Sequence, residues 1–77
     1  MSYGYTTRLS RINKQADNAS LGVKLGRVCI KREIPVAEVA YQLGVSRQTV
    51  YNWFEGTHFP HLDLTDAIEV LLKSYTK

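Results

Sequence analysis

The sequence predicts an all-α domain, and two observations support this prediction. Apolar residues recur at helical spacing in several segments, and the β-branched residues are scattered instead of alternating as they do in strands. The length of 77 residues favours one domain, and 44% hydrophobic with 22% charged residues is the balance of a globular chain. We expect a compact domain of four helices, or five, over residues 20–77, preceded by a basic and partly disordered arm at residues 1–19.

The first two predicted helices are separated by a proline. The first covers residues 20–33, and its apolar stripe has i, i+4, i+7 and i+8 spacing: Leu21, Leu25, Val28 and Cys29. Pro35 disfavours helical geometry at the residue before it and lacks the amide that a continuing helix would use. Pro35 is instead suited to opening the second helix, which we expect to end at Gly44, where a left-handed residue is favoured.

The last two predicted helices flank a turn that begins at Gly56. Ser46 is a suitable N-cap for a helix over residues 46–55, in which Trp53 is expected to lie in the core. The fourth helix has an apolar stripe at helical spacing, formed by Leu64, Ile68, Leu71, Leu72 and Tyr75. Together these patterns predict four helices after the arm.

Charge is distributed unevenly along the chain. Residues 1–35 contain seven basic and two acidic residues, a net charge of +5, whereas residues 36–77 contain three basic and five acidic residues, a net charge of −2. A basic segment favours a polyanionic partner, and a solvated surface is the alternative. In the arm, Arg8, Arg11 and Lys14 are expected either to contact nucleic-acid phosphates or a minor groove, or to belong to a solvated tail.

Several kinds of site are not expected from this sequence. Cys29 is the sole cysteine, so it cannot form an intrachain disulfide, and no ligand spacing joins it to His58 and His61 in a metal site. We find no apolar run of roughly 18 residues and no signal peptide. Paired carboxylates, an activated nucleophile and a phosphate-binding glycine loop are also not evident. We therefore expect a cytoplasmic protein that is not an enzyme, without cofactor, metal, membrane partner or small-molecule substrate.

The most informative segment is residues 36–60, VAEVAYQLGVSRQTVYNWFEGTHFP, in which two short helices meet at a three-residue turn. Residues 36–55 have helix-turn-helix geometry. Ser46 caps the second helix of this pair and leaves Arg47 and Gln48 on its first turn, the end that enters a DNA major groove. Arginine pairs with guanine, and glutamine or asparagine pairs with adenine.

Two further residues extend this predicted base-contacting face. Asn52 lies four residues beyond Gln48 and therefore on the same side of the helix. Tyr51 lies four residues beyond Arg47, where it is expected to contact a thymine methyl or a phosphate.

The sequence around this segment resembles the Cro/C1-type (XRE-like) helix-turn-helix family of phage and bacterial transcriptional regulators. The resemblance covers about residues 20–72 and rests on LGxxL at 21–25, Glu38 and Ala40, LGVS at 43–46, TVYNW at 49–53 and GTHFP at 56–60. It implies a lambda-repressor-like fold and binding to double-stranded DNA in a bacterial or phage-infected cell. It also implies that the helix over residues 46–55 contacts bases and phosphates, and that the loop after this helix contacts the DNA backbone through amides and side chains. The residues assigned to DNA-backbone contacts are Ser46, Thr49, Thr57 and His58, in addition to the three cations of the arm.

Two hypotheses of function follow. The first is a sequence-specific transcriptional regulator, a repressor that occludes a promoter and that binds a palindromic site as a homodimer. The alternative is a small phage-type adaptor that binds a host protein through Tyr51, Phe54 and Phe59. The two differ in salt response, because contacts with several phosphates weaken steeply with salt whereas an aromatic protein contact does not.

Overall fold

The computed structural model describes residues 6–17 and 19–76, which contain five α-helices, one short 3-10 helix and no strand. The helices are α1 (Thr7–Gln15), α2 (Leu21–Arg32), α3 (Val36–Leu43), α4 (Arg47–Glu55) and α5 (Thr65–Thr76), and a 3-10 turn at Leu62–Leu64 leads into α5. The prediction of an all-α domain is confirmed, and helices α2 to α5 correspond to the four predicted ones. Within the described ranges, no helix has the length and apolar character needed to cross a membrane.

The angle between α3 and α4 depends on a short connection with special backbone geometry. Gly44 ends α3 with φ 68°, a left-handed conformation that favours glycine. Ser46 then begins α4, because its side-chain oxygen accepts a hydrogen bond from the amide of Thr49 at 3.1 Å. Gly56 ends α4 with φ 82°. The predicted roles of Gly44, Ser46 and Gly56 are confirmed.

The core lies where α2 crosses its neighbours. Helix α2 packs against α1, α4 and α5, and α3 packs against α4. The buried hydrophobic cluster comprises Leu9, Leu25, Cys29, Val36, Val39, Ala40, Val50, Trp53, Phe54 and Ile68. Gly22 allows α2 to approach α4 closely, because an added Cβ there would lie 2.8 Å from Cβ of Trp53. Trp53 is a core residue, as the sequence predicts.

An N-terminal helix replaces much of the expected irregular arm. The prediction is wrong for residues 7–15, which form α1. Thr6 caps this helix by accepting a hydrogen bond from the amide of Leu9 at 3.1 Å, and the side chain of Leu9 is buried. Residues 1–5 belong to the same predicted arm and lie outside the described residues. The charged helix is therefore an ordered part of the domain from its N-cap onward.

Buried hydrogen bonds attach α1 to two other helices. The Asn13 side chain is 1% exposed, and its Nδ2 donates to the carbonyl of Val23 in α2 at 3.2 Å and to the carbonyl of Phe54 in α4 at 2.8 Å. Arg27 of α2 donates from Nη2 to three carbonyls at the C-terminal end of α1, those of Asn13, Lys14 and Ala16, at 3.3, 2.9 and 3.0 Å. The last carbonyls of a helix lack intrahelical donors, although that of Asn13 also accepts the amide hydrogen of Ala16 at 3.2 Å, and a cation at this end is electrostatically favourable.

Candidate nucleic-acid interface

The N-terminal turn of α4 carries two of the residues predicted to contact bases. The side chains of Arg47 and Gln48 are both exposed on this turn. Their amides are the first two of the helix, where no intrahelical acceptor exists. The N-terminal end of a helix carries partial positive charge and favours anions such as phosphates. This turn combines a guanidinium, a carboxamide and backbone donors on one exposed end.

Gln48 and Asn52 form a hydrogen-bonded pair on one face of α4. Nε2 of Gln48 donates to Oδ1 of Asn52 at 3.0 Å. The bond restrains both side chains and leaves Oε1 of Gln48 as an acceptor and Nδ2 of Asn52 as a donor. One acceptor beside one donor is the complement of the N6 and N7 atoms of adenine in the major groove. The structure thus brings together two residues that the sequence assigned separately to base contacts.

Thr49, Tyr51 and Asn52 are partly buried, whereas the N-cap Ser46 is exposed. Tyr51 is half-buried and packs against the core cluster, so that only part of its ring is accessible. The hydroxyls of Ser46 and Thr49 lie 2.8 Å apart, and Ser46 also accepts the amide hydrogen of Thr49. A phosphate that bound these hydroxyls would compete with a bond that already stabilises the start of the helix.

The loop after α4 differs from the expected arrangement. The amides of Thr57 and His58 both donate to the carbonyl of Asn52, at 3.1 and 3.3 Å, and the Thr57 hydroxyl donates to the same oxygen at 3.2 Å. These two amides complete the C-terminal cap of α4, so a contact between them and DNA phosphates would have to share or replace these bonds and stays a prediction. The side chain of His58 is exposed and stays a candidate for a backbone contact.

The three predicted cations of the arm lie on α1. Arg8, Arg11 and Lys14 are exposed. Helix α1 contacts α4 through the bond between Asn13 and the carbonyl of Phe54, which lies seven residues after Arg47, or about 10 Å further along the helix axis. Lys14 also lines a groove between α1 and α2 together with Arg27 and Lys31. Three cations from two helices therefore share this groove.

The three aromatic residues of the adaptor hypothesis do not form one exposed surface. Phe54 is fully buried, and Tyr51 is half-buried. Phe59 is 72% exposed. The prediction that Phe54 contributes to an exposed contact patch is wrong, because its side chain is buried beside Gly26 of α2.

His61 also belongs to this region, although it was not among the predicted contact residues. His61 lines an open groove of about 300 Å³ beside α4, together with His58, Thr49 and Asn52. The two histidines are three residues apart in the sequence THFPH, and this short interval could have predicted that they lie in the same region. Asn13 and Arg27 were also missed as positioning residues, because their partners are distant in sequence.

The cysteine lies in the core and not at this surface. Cys29 is fully buried, and burial raises the pKa of its thiol to about 12. Burial also raises the pKa of Tyr75 to about 12, with smaller contributions from Cys29 and Glu38. Neither group is poised to act as a nucleophile at neutral pH.

Comparison of the chain with protein-family models, with curated proteins and with solved structures finds no match.

Proposed function

We propose that this protein binds double-stranded DNA sequence-specifically and acts as a transcriptional repressor of phage or mobile-element type. In this proposal, α2 to α5 form a lambda-repressor-like helix-turn-helix domain, and α4 is its recognition helix. The observation that carries the proposal is the exposed N-terminal turn of α4, capped by Ser46, from which Arg47 and Gln48 project.

The contacts follow from the chemistry of that helix. Arg47 donates in a bidentate manner to O6 and N7 of a guanine, and the pair formed by Gln48 and Asn52 contacts an adenine. Residues 36–60 contain Arg47 as their sole basic residue, so most of the phosphate attraction comes from α1 and α2. The protein represses by covering a promoter.

A single module of this kind covers a limited area. It buries about 600–1,000 Å² on DNA, and tight binding by so small a surface favours two copies on a palindromic site. Because the major groove returns to the same face after one turn, the half-sites lie about 10 base pairs apart.

Substitutions at Arg47 test the proposal. Replacing Arg47 with Ala is expected to cost about 1–3 kcal/mol of binding free energy on the preferred duplex and to relax the preference at one base position. Arg47→Lys keeps the charge but loses the bidentate fork, so the base preference should fall while the salt dependence is retained. Lys73→Ala, at an exposed position on α5, is the control for loss of one cation.

The measurement is the affinity for a set of duplexes that differ at single positions. If Arg47→Ala weakens binding equally on every duplex, Arg47 contacts phosphate and not a base, and sequence-specific contact by this residue is refuted. Circular dichroism of each variant checks that the helices are retained.

A further inference from the structure

We infer that His58 and His61 form a protonation-dependent phosphate clamp beside α4, so that DNA affinity rises as the pH falls. This inference rests on the proposed function, because its ligand is a phosphate of the duplex whose bases contact α4. It adds His61 to the interface and gives His58 a specific role.

The placement of the two imidazoles supports the inference. Both line the open groove of about 300 Å³ that Thr49 and Asn52 flank on the α4 side. The His61 side chain is 73% exposed, and His58 is also exposed. A backbone phosphate that follows the major-groove edge past Asn52 would therefore meet both rings.

His58 contacts Thr57 through Nδ1 and not through Nε2. The Thr57 oxygen lies 3.2 Å from the carbonyl oxygen of Asn52 and 3.3 Å from Nδ1 of His58, and the donor in the second contact depends on the imidazole tautomer. Protonation places a hydrogen on both ring nitrogens and adds a positive charge, so that Nε2 is then a donor for a phosphate oxygen in either case.

His61 responds in the same direction through its contact with Asp63. Nδ1 of His61 accepts the amide hydrogen of Asp63 at 3.2 Å and lies 3.5 Å from the carboxylate oxygen Oδ2 of that residue. The neutral ring therefore carries its hydrogen on Nε2, and the nearby carboxylate repels a phosphate. When Nδ1 is protonated it can no longer accept the Asp63 amide hydrogen and pairs instead with the carboxylate, which offsets that repulsion while Nε2 continues to donate.

Because no lysine or arginine lines the groove, the two histidines determine how strongly it attracts a phosphate. Helix α4 contributes the uncharged side chains of Thr49, Asn52 and Trp53, and Glu55 lines a neighbouring cavity. The sequence has no lysine or arginine between Arg47 and Lys73. Asp63 contacts His61 but does not line the groove, so protonation of both rings changes the formal charge of the groove-lining side chains from 0 to +2.

The test is binding to a fluorescently labelled duplex at pH 8.0 and pH 5.5, each over a series of salt concentrations. We expect roughly tenfold tighter binding at the lower pH. The slope of log K against log salt should become steeper by about 0.9 for each additional phosphate contact. Since the sequence contains two histidines, a double variant removes every imidazole from the chain.

Matched variants separate this clamp from other effects of pH. His58→Gln together with His61→Gln should bind with one affinity at both pH values, because glutamine stays neutral. His58→Arg together with His61→Arg should bind at pH 8.0 with the salt slope that the unmodified protein shows at pH 5.5. Unfolding curves of each variant at both pH values check that the fold is retained.

The outcomes are distinguishable. Equal affinity and equal salt slope at both pH values in the unmodified protein overturn the inference, and so does a pH response that persists in the double glutamine variant. These results leave the proposed function intact. No binding to duplex DNA at either pH overturns the proposed function and this inference together.

Discussion

Replacing Asn13 tests whether α1 belongs to the folded domain. The side chain is 1% exposed, and its amide bonds to the carbonyls of Val23 and Phe54 are 3.2 and 2.8 Å long. Each such bond contributes about 1 kcal/mol, and desolvated carbonyls and lost packing add to the cost of removing it. We expect Asn13→Ala to lower the free energy of unfolding by about 2–4 kcal/mol. A domain of this size has about 4–12 kcal/mol in total, so the effect is large.

A second substitution at the same position sharpens the test. Asn13→Asp keeps the shape of the side chain but places a carboxylate oxygen where the donor Nδ2 meets two carbonyl oxygens. This variant should be less stable than Asn13→Ala at pH 7, because like partial charges then face each other in a buried site. Its folded-state carboxyl has a raised pKa, so its deficit is present at neutral pH and shrinks as the pH falls and the carboxyl becomes a donor.

Urea unfolding followed by far-ultraviolet circular dichroism measures both effects. Lys14→Ala is the control, since Lys14 is an exposed neighbour on the same helix, and it should change the free energy of unfolding by less than about 0.5 kcal/mol. If Asn13→Ala is as stable as this control, the buried bonds of α1 are refuted.

Three other predictions concern packing, capping and reactivity. Gly26→Ala should destabilise the protein by about 1–3 kcal/mol in urea unfolding, despite the better helix propensity of alanine. The reason is that the new Cβ would lie 2.6 Å from Nδ2 of Asn13 and 2.8 Å from Cγ of Phe54. A stabilised variant would contradict the close approach of α2 to α1 and α4. Ser46→Ala should lose about 1 kcal/mol of stability, because the N-cap of α4 is removed. Ser46→Asp should keep the cap and yet weaken duplex binding, because its carboxylate repels phosphate. Equal duplex binding by Ser46→Asp and the unmodified protein would show that no phosphate lies next to Ser46. With a pKa of about 12, Cys29 should not react with a thiol reagent in the folded protein at pH 8, and it should react at once in denaturant. Rapid labelling of Cys29 in the folded protein would show that the core opens.

Local signals explain why four of the helices were predictable. Pro35, Gly44, Ser46 and Gly56 act on the backbone next to them, so their effects can be inferred from the sequence alone. Helix α1 has local signals that were not used, namely the N-cap Thr6 and the helical spacing of Leu9, Ile12 and Ala16. Its attachment depends on Asn13, whose acceptors are 10 and 41 residues away. No periodicity in residues 1–19 indicates these partners.

The candidate site was predictable in part for similar reasons. The burial of Val50 and Trp53 determines which face of α4 is exposed, and helical spacing is enough to infer that face. The bond between Gln48 and Asn52 depends on their side-chain rotamers, which the sequence does not specify. The adaptor hypothesis placed Phe54 at the surface, whereas its side chain is buried against Gly26 of α2, a contact between residues 28 positions apart that helical spacing does not reveal.

The most direct test of sequence-specific DNA binding is selection of bound duplexes from a random pool, followed by sequencing, at two salt concentrations. The account predicts an enriched motif that includes guanine and adenine, retained at the higher salt, with half-sites about 10 base pairs apart if two copies bind. An unenriched pool, with binding that disappears at moderate salt, would contradict the assignment of α4 as a recognition helix.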